Sequence, residues 1–240
     1  MDRMNRWWAL ALSVALVVGI GAIVAHSSVG AMEGVAFAIA PPALDDPKTA
    51  GSLQTAVLSG GCFWGVQGVF EHVRGVRKVL SGYAGGERST AEYETVSSGR
   101  TGHAESVQIT FDPAVVSYGE LLQVFFSVAH DPTQLNRQGP DTGTQYRSEI
   151  FYADESQEKI AQAYVAQLEK AKVFSRAIAT RIDPLKGFYP AEQYHQDYLL
   201  HNPTSPYIVY NDLPKIENFR RLFPNYYQGQ PVTVGNMALP

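Results

Sequence analysis

The chain holds one cysteine, Cys62, in the run Gly60-Gly61-Cys62-Phe63-Trp64-Gly65. A short apolar stretch, Ala56-Val57-Leu58-Ser59, stops there, and apolar residues then recur at helical spacing. Two glycines permit a sharp turn with exposed backbone N–H groups. A helix starting at or just after the cysteine sets partial positive charge beside the sulfur, which favours thiolate over thiol. That is the setting of a nucleophile at neutral pH. A small buried hydrophobe is the other common fate of a lone cysteine, and position does not separate the two. Phe63 and Trp64 either wall an apolar pocket beside the sulfur or pack into the core.

Four further groups carry chemistry. Thr101-Gly102-His103-Ala104-Glu105 opens an alternating run with Val107, Ile109 and Phe111 on one face, and Glu105 continues that face. Apolar surroundings keep a carboxyl protonated, so Glu105 is a candidate proton donor. The plain alternative is a solvated edge glutamate. His103 beside Cys62 would make a hydrolase pair, although packing is its simpler use. The turn-rich loop Gly139 to Ser148 offers Asp141, Gln145, Tyr146 and Arg147, either aimed into a cleft or left at the surface. Tyr83 lies among glycines in Ser81-Gly82-Tyr83-Ala84-Gly85-Gly86. The dense mixture from Phe188 to Tyr198, with His195 and Asp197, reads first as a satisfied polar network.

The elements that must position these groups follow from periodicity. Strands are expected around 56–59, 75–83, 103–111, 148–152 and 177–182, the last closed by Asp183-Pro184. Helices are expected over Phe63–Val73, over Tyr118–Ala129 with Ser117 as N-cap, and over Asp154–Ala171. The region from Asn202 is rich in proline and aromatics. Strand–helix–strand groups followed by more strands give an α+β fold, with helices packed on a mixed sheet.

The 240 residues are 45% hydrophobic and 18% charged, which is globular composition. A net charge of −4 argues against nucleic acid as a partner. One cysteine excludes an internal disulfide and a cysteine-built metal site within one chain. The N-terminus differs from the rest. Arg3 and Arg6 precede an uncharged run from Trp7 to Ala25, apolar on every side and close to the ~20 residues that span a bilayer. Ala36-Phe37-Ala38 and Ala38-Ile39-Ala40 both have the A-x-A form of a cleavage site. Residues 1–40 therefore read as a signal peptide or membrane anchor, 41–54 as linker, 55–227 as one catalytic domain and 228–240 as a tail. The positive-inside rule puts the domain outside the cytoplasm, in a periplasm or its equivalent, either released or held at the membrane.

Five blocks in order resemble the A-type peptide methionine sulfoxide reductases: GCFWGVQGVFEHVRGV, SGYAGG, SSGRTGHAESVQITFDP, HDPTQLNRQGPDTGTQYRSEIFY and FYPAEQYHQDYL. The resemblance covers about residues 55 to 210. It implies a ferredoxin-like α/β sandwich core with long loops. It implies a thiol-dependent reduction of methionine S-sulfoxide, free or in oxidised proteins and peptides. Cys62 is then the nucleophile and Glu105 the acid. Tyr83 and Tyr146 match the phenols on the sulfoxide oxygen, and Phe63 and Trp64 the walls around the substrate methyl group. Asp141 matches a carboxylate that orders water and the substrate main chain, while His195 and Asp197 match a supporting segment. No metal or other bound cofactor is implied, and the working unit is expected to be a monomer. Many relatives carry resolving cysteines near the C-terminus, whereas Asn202 to Pro240 has none here. The Cys62 sulfenic acid would need an external thiol: thioredoxin-like, glutaredoxin-like or glutathione. Two readings compete with this one: a cysteine hydrolase or acyltransferase using His103 or His195, and a non-enzymatic module that holds oxidised peptides.

Overall fold

The computed structural model describes residues 36–235. Strand β1 (Gln54–Gly60) leads through the nucleophile turn into α1 (Phe63–Glu71) and then β2 (Val76–Ala84). A long excursion with one short helix, α2 (Tyr93–Val96), precedes β3 (Ala104–Phe111). Next comes α3 (Tyr118–Val124), continued by a wide turn to Ala129. The tiny strands β4 (Arg137–Gln138) and β5 (Asp141–Thr142) shape the loop before β6 (Ser148–Tyr152). Helix α4 (Glu155–Lys170), β7 (Arg181–Pro184), β8 (Phe188–Pro190), α5 (Tyr198–His201) and α6 (Leu213–Leu222) complete the chain.

The main sheet runs β7-β6-β1-β3-β2-β8. Its inner four strands pair antiparallel with one another and β8 antiparallel with β2, while β7 joins β6 in parallel. Chain order within those four is thus fourth, first, third, second. Two strand–helix–strand units interlock, each receiving a strand of the other between its own two. This is the expected ferredoxin-like α+β sandwich, extended by β7 and β8. Alternation assigns the faces. Ala56, Leu58, Val107, Ile109 and Phe111 pack with α1 and α3 in the main core. Val57, Ala84, Ala104 and Phe151 bury the opposite face beneath Leu185 and Phe188.

Local signals explain the helix boundaries. Ser117 caps α3 and Glu120 returns a bond to the Ser117 N–H, a complete capping box. Asp154 accepts the Gln157 N–H at the head of α4, whose Ile160, Ala161, Tyr164 and Leu168 are buried. One expected strand is shorter than its pattern, and one region holds a helix for which no expectation was set. The strand expected over 177–182 forms only at Arg181–Pro184, because Ala179 spends its N–H on the Pro132 carbonyl of a loop. The region from Asn202 contains α6, which begins with a proline in its first turn and buries Phe219.

The segment 41–54, expected as linker, is bound to the domain over its first part. Ile39 is in the core, with its N–H on Ser127 Oγ (3.2 Å) and its carbonyl accepting from Gln123 (2.6 Å). Tyr164 donates to the Ala40 carbonyl, and Gln167 bridges Pro41 and Ala43. Asp45 accepts from the Ser117 hydroxyl and the Gly119 N–H at the start of α3. The expected tail is also docked as far as Gly235, where Asp197 accepts the N–H groups of Val234 and Gly235. The apolar run Trp7–Ala25 lies outside the described residues. Among those described, no helix is long and apolar enough to cross a membrane.

Candidate active site

Cys62 is the N-cap residue of α1 and is 8% exposed. The turn that delivers it needs Gly61, whose φ is +89° and whose missing Cβ would stand 2.4 Å from Gln138 Cβ. The helix N-terminus alone predicts a lowered thiol pKa; in the structure the thiol is raised instead. Burial pushes it up first, Glu105 adds to this wherever it is ionised, and the Asp212 carboxylate adds further. The Trp64 N–H and the Lys215 ammonium pull more weakly the other way. The resting nucleophile is therefore a thiol.

Glu105 lies where the alternation of β3 places it, 3% exposed on the core face. Its Oε2 accepts the Phe63 N–H at 3.1 Å, so acid and nucleophile meet at one helix turn. Burial lifts its pKa to about 8, with Asp141 and Asp212 pushing the same way and the Phe63 N–H opposing. At neutral pH it is a protonated acid in an apolar setting. Tyr146 reaches the same place, and its hydroxyl is raised by burial and then by the nearby Glu105 and Asp141. Asp141 accepts a short hydrogen bond from the Tyr207 hydroxyl.

Tyr83 does not join them. It is fully buried, stands opposite Glu105 across the β2–β3 pairing, and donates its hydroxyl to Glu192 Oε2 at 2.8 Å. The second phenol at the site is Tyr93, half-buried, whose hydroxyl is raised by burial and by Glu105, with a smaller push from Cys62. Its only sequence signal is a lone aromatic in a polar stretch, Ala91-Glu92-Tyr93-Glu94-Thr95. Phe63 is also fully buried, its ring against Tyr83 and His195. Trp64 is the half-exposed wall, stacked on Tyr198 at 3.8 Å with the edge of Tyr207 beside it. Trp64 Nε1–H donates to His195 Nδ1 at 3.1 Å, which fixes the indole. Asp197 belongs to the tail clamp and not to the cleft. Gln145 and Arg147 turn away to tie loops: Gln145 bonds the Ser97 carbonyl, and Arg147 the carbonyls of Gly102, His103 and Thr144.

Neither histidine serves as a base for the thiol. His103 spends its ring nitrogens on the Gly86 N–H and the Glu87 carbonyl, and burial lowers its pKa. His195 is held by Trp64 among the rings of Phe63, Tyr93 and Tyr194. The hydrolase arrangement is therefore absent among the described residues. The sequence reading also missed Asp212 and Lys215. The Asp212 carboxylate is buried, with Oδ1 3.0 Å from Lys215 Nζ and Oδ2 without a hydrogen-bond partner among the described residues.

A lone thiol, a protonated carboxylic acid and two phenols around one cleft define a cysteine-based enzyme with its own proton donor. Known proteins narrow this class. Residues 54–226 match the family model described as peptide methionine sulfoxide reductase. Over 189 residues, the chain is 62% identical to peptide methionine sulfoxide reductase MsrA 2 of Mesorhizobium japonicum, covering 79% of this chain and 97% of the relative. A second relative, the MsrA 2 of Synechocystis, is 53% identical over 182 residues, covering 76% and 85%. Among solved structures, reduced Mxr1 of Saccharomyces cerevisiae aligns with a TM-score of 0.56 at 37% identity, covering 63% of this chain and 87% of that one. Methionine sulfoxide reductase A of Corynebacterium diphtheriae aligns at 0.53 with the same identity, covering 63% and 76%. With 173 consecutive positions of its sequence inside the family model, the chain belongs to the peptide methionine sulfoxide reductase family.

Proposed function

We propose that the chain reduces methionine S-sulfoxide, free or within oxidised proteins, to methionine through Cys62. The observation that carries the reading is the Glu105 carboxyl: buried, protonated at neutral pH and bonded to the backbone next to the nucleophile. In the reaction the Cys62 sulfur attacks the sulfoxide sulfur, and the proton its thiol sheds restores the Glu105 carboxyl after that group has protonated the oxygen. The sulfoxide oxygen gains charge as the new bond forms, and Glu105 supplies the proton it needs, with Tyr93 and Tyr146 as hydrogen-bond donors. The S–O bond of the substrate then breaks as the hydroxyl moves to Cys62, and the transient bond between the two sulfurs breaks with its electron pair left on the methionine sulfur. Oxygen passes to Cys62, so thiol plus sulfoxide become sulfenic acid plus methionine. Trp64 is the wall for the substrate methyl group, with Phe63 as backing behind the site, and Asp141 faces the main chain.

One thiol per chain means that recycling is intermolecular. An external thiol condenses with the sulfenic acid, releasing water, and a second thiol resolves the mixed disulfide. The proposed donor is a thioredoxin-fold protein, because a dithiol supplies both steps from one molecule. Good turnover with glutathione but poor turnover with every dithiol protein would overturn that choice. One chain carries the whole constellation, so the proposed unit is a monomer. The basic and apolar sequence of residues 1–25 supports an extracytoplasmic location, with membrane attachment if the segment is retained.

The central test is a single turnover without reductant. One equivalent of methionine S-sulfoxide is expected to release one methionine and add one oxygen atom to Cys62, while the R epimer stays intact. Methionine release by Cys62→Ser at the wild-type rate would overturn the mechanism. A trapped thioester would instead favour acyl transfer.

A further inference from the structure

Tyr83 was expected on the substrate oxygen, but its actual partner points to a different role. Its hydroxyl donates to Glu192 Oε2, and the other oxygen, Oε1, accepts the Tyr93 N–H at 2.9 Å. Tyr93 is the first residue of α2, and the residue before it, Glu92, gives that helix no side-chain cap. A carboxylate a hundred residues away in sequence takes that place. Three residues further on, His195 sets its ring 4.4 Å from the Tyr93 ring. One turn, Glu192–His195, thus holds both the backbone and the ring of the phenol.

The opposite end of the same excursion is tied separately. Thr144 Oγ1 donates to the Gly99 carbonyl at 2.6 Å, and Gln145 Nε2 to the Ser97 carbonyl at 3.2 Å. Those ties fix the excursion to the turn that carries Tyr146. At the Tyr93 end, the hydrogen bond to Glu192 is the corresponding tie. The carboxylate is itself oriented from the interior, because Tyr83 is immobilised in β2.

We propose that Glu192, oriented by Tyr83, is the positioning residue that sets Tyr93 against the sulfoxide oxygen. The proposal rests on the reading of Tyr93 as an oxygen-binding phenol. Glu192 does not touch substrate; its Oε2 also stands 4.0 Å from His195 Nε2, and an effect carried through His195 would persist in the Tyr93→Phe background. Two consequences separate this from a merely structural part. An acceptor at position 192 is what matters, whether charged or neutral. Removing it costs nothing once the Tyr93 hydroxyl is gone, because coupled residues lose their effects together.

The experiment measures kcat and KM for methionine S-sulfoxide with the full chain, in wild type, Tyr93→Phe, Glu192→Ala, Glu192→Gln and the double variant of Tyr93→Phe with Glu192→Ala. Glu192→Ala is expected to lower kcat about tenfold and leave KM within about twofold, the signature of an interaction realised in the transition state. Glu192→Gln, which keeps a carbonyl oxygen for the Tyr93 N–H, is expected to recover to within about threefold. The double variant is expected to match Tyr93→Phe. Losses that multiply in the double variant, or a glutamine variant as slow as the alanine one, overturn the proposal. A wild-type rate for Tyr93→Phe overturns the underlying reading of Tyr93 and this proposal with it, so the two failures are distinguishable. If Glu192→Ala does not fold, Tyr83→Phe replaces it: a loss of about twofold to threefold that vanishes in the Tyr93→Phe background supports the proposal, and a loss that persists there overturns it.

Discussion

Burial holds the Glu105 carboxyl at about 8, so the side chain keeps its proton through neutral pH and surrenders it above. The sign for activity follows. The acid form is present below that value and is lost as pH rises through it. Its loss removes the proton donor and places a negative charge beside Cys62, which pushes the thiol further up. Single-turnover reduction is therefore expected to fall as pH rises through about 8. In Glu105→Gln the rate should be lower by about a hundredfold, the low end of what a positioned acid contributes. Its profile should show no fall there, rising instead as Cys62 ionises. A wild-type fall that survives in the glutamine variant would assign it to another group. Glu105 was legible in the sequence because alternation with Val107, Ile109 and Phe111 fixes its face. Tyr83 misled because its phenol, on the same face as Glu105, spends its hydroxyl on Glu192, a partner far along the chain. Tyr93 was hidden because its placement depends on Glu192, a contact that no local pattern encodes.

At the scale of elements, α1 must accept the turn before α6 almost in contact with its own first turn. Gly65 makes that approach possible. A Cβ there would lie 2.0 Å from Asp212 Oδ1 and 2.8 Å from Lys215 Nζ. Two effects compete in Gly65→Ala. Helix propensity favours alanine by about 1 kcal/mol. Against it, the carboxylate is fully buried and can yield only by giving up its 3.0 Å bond to Lys215, which leaves a buried charge without its partner. Breaking a buried pair costs about 3–5 kcal/mol, so the clash wins. Gly65→Ala is expected to lower the melting temperature by several degrees and to slow the chemical step, since Asp212 and Lys215 both bear on Cys62. A higher melting temperature would show that Asp212 moves freely. The helices with strong caps, α3 and α4, were readable with nearly their true starts. Helix α6 was not, because Leu213-Pro214 and the aromatics around it resemble a loop until Ile216, Phe219 and Phe223 are counted at helical spacing.

The whole molecule includes a strap that composition assigned elsewhere. Ala36 to Asp46 has the small residues and prolines of a leader end and linker, yet it crosses α3 and α4 and fastens both. Nothing in its local pattern shows this, because an isolated Ile39 has no periodicity and its partners, Ser127 and Gln123, lie far along the chain. Burying one isoleucine contributes about 1.5–3 kcal/mol. Removing the strap would also strip acceptors from Gln123 and Tyr164, at about 1–3 kcal/mol for each group left buried and unpaired. Deleting the strap is expected to lower the melting temperature, by roughly 2–4 °C for each kcal/mol of net stability lost in a domain of this size. The comparison is between chains begun at Ala36 and at Pro47, followed by thermal denaturation. Equal melting temperatures would mean that the strap adds nothing to stability. The strap also bears on the two A-x-A sites, because a cut after Ala40 discards Ile39 whereas a cut after Ala38 keeps it. If a chain begun at Pro41 also melts lower than one begun at Ile39, the cut after Ala38, or retention of the leader, is favoured in the active enzyme.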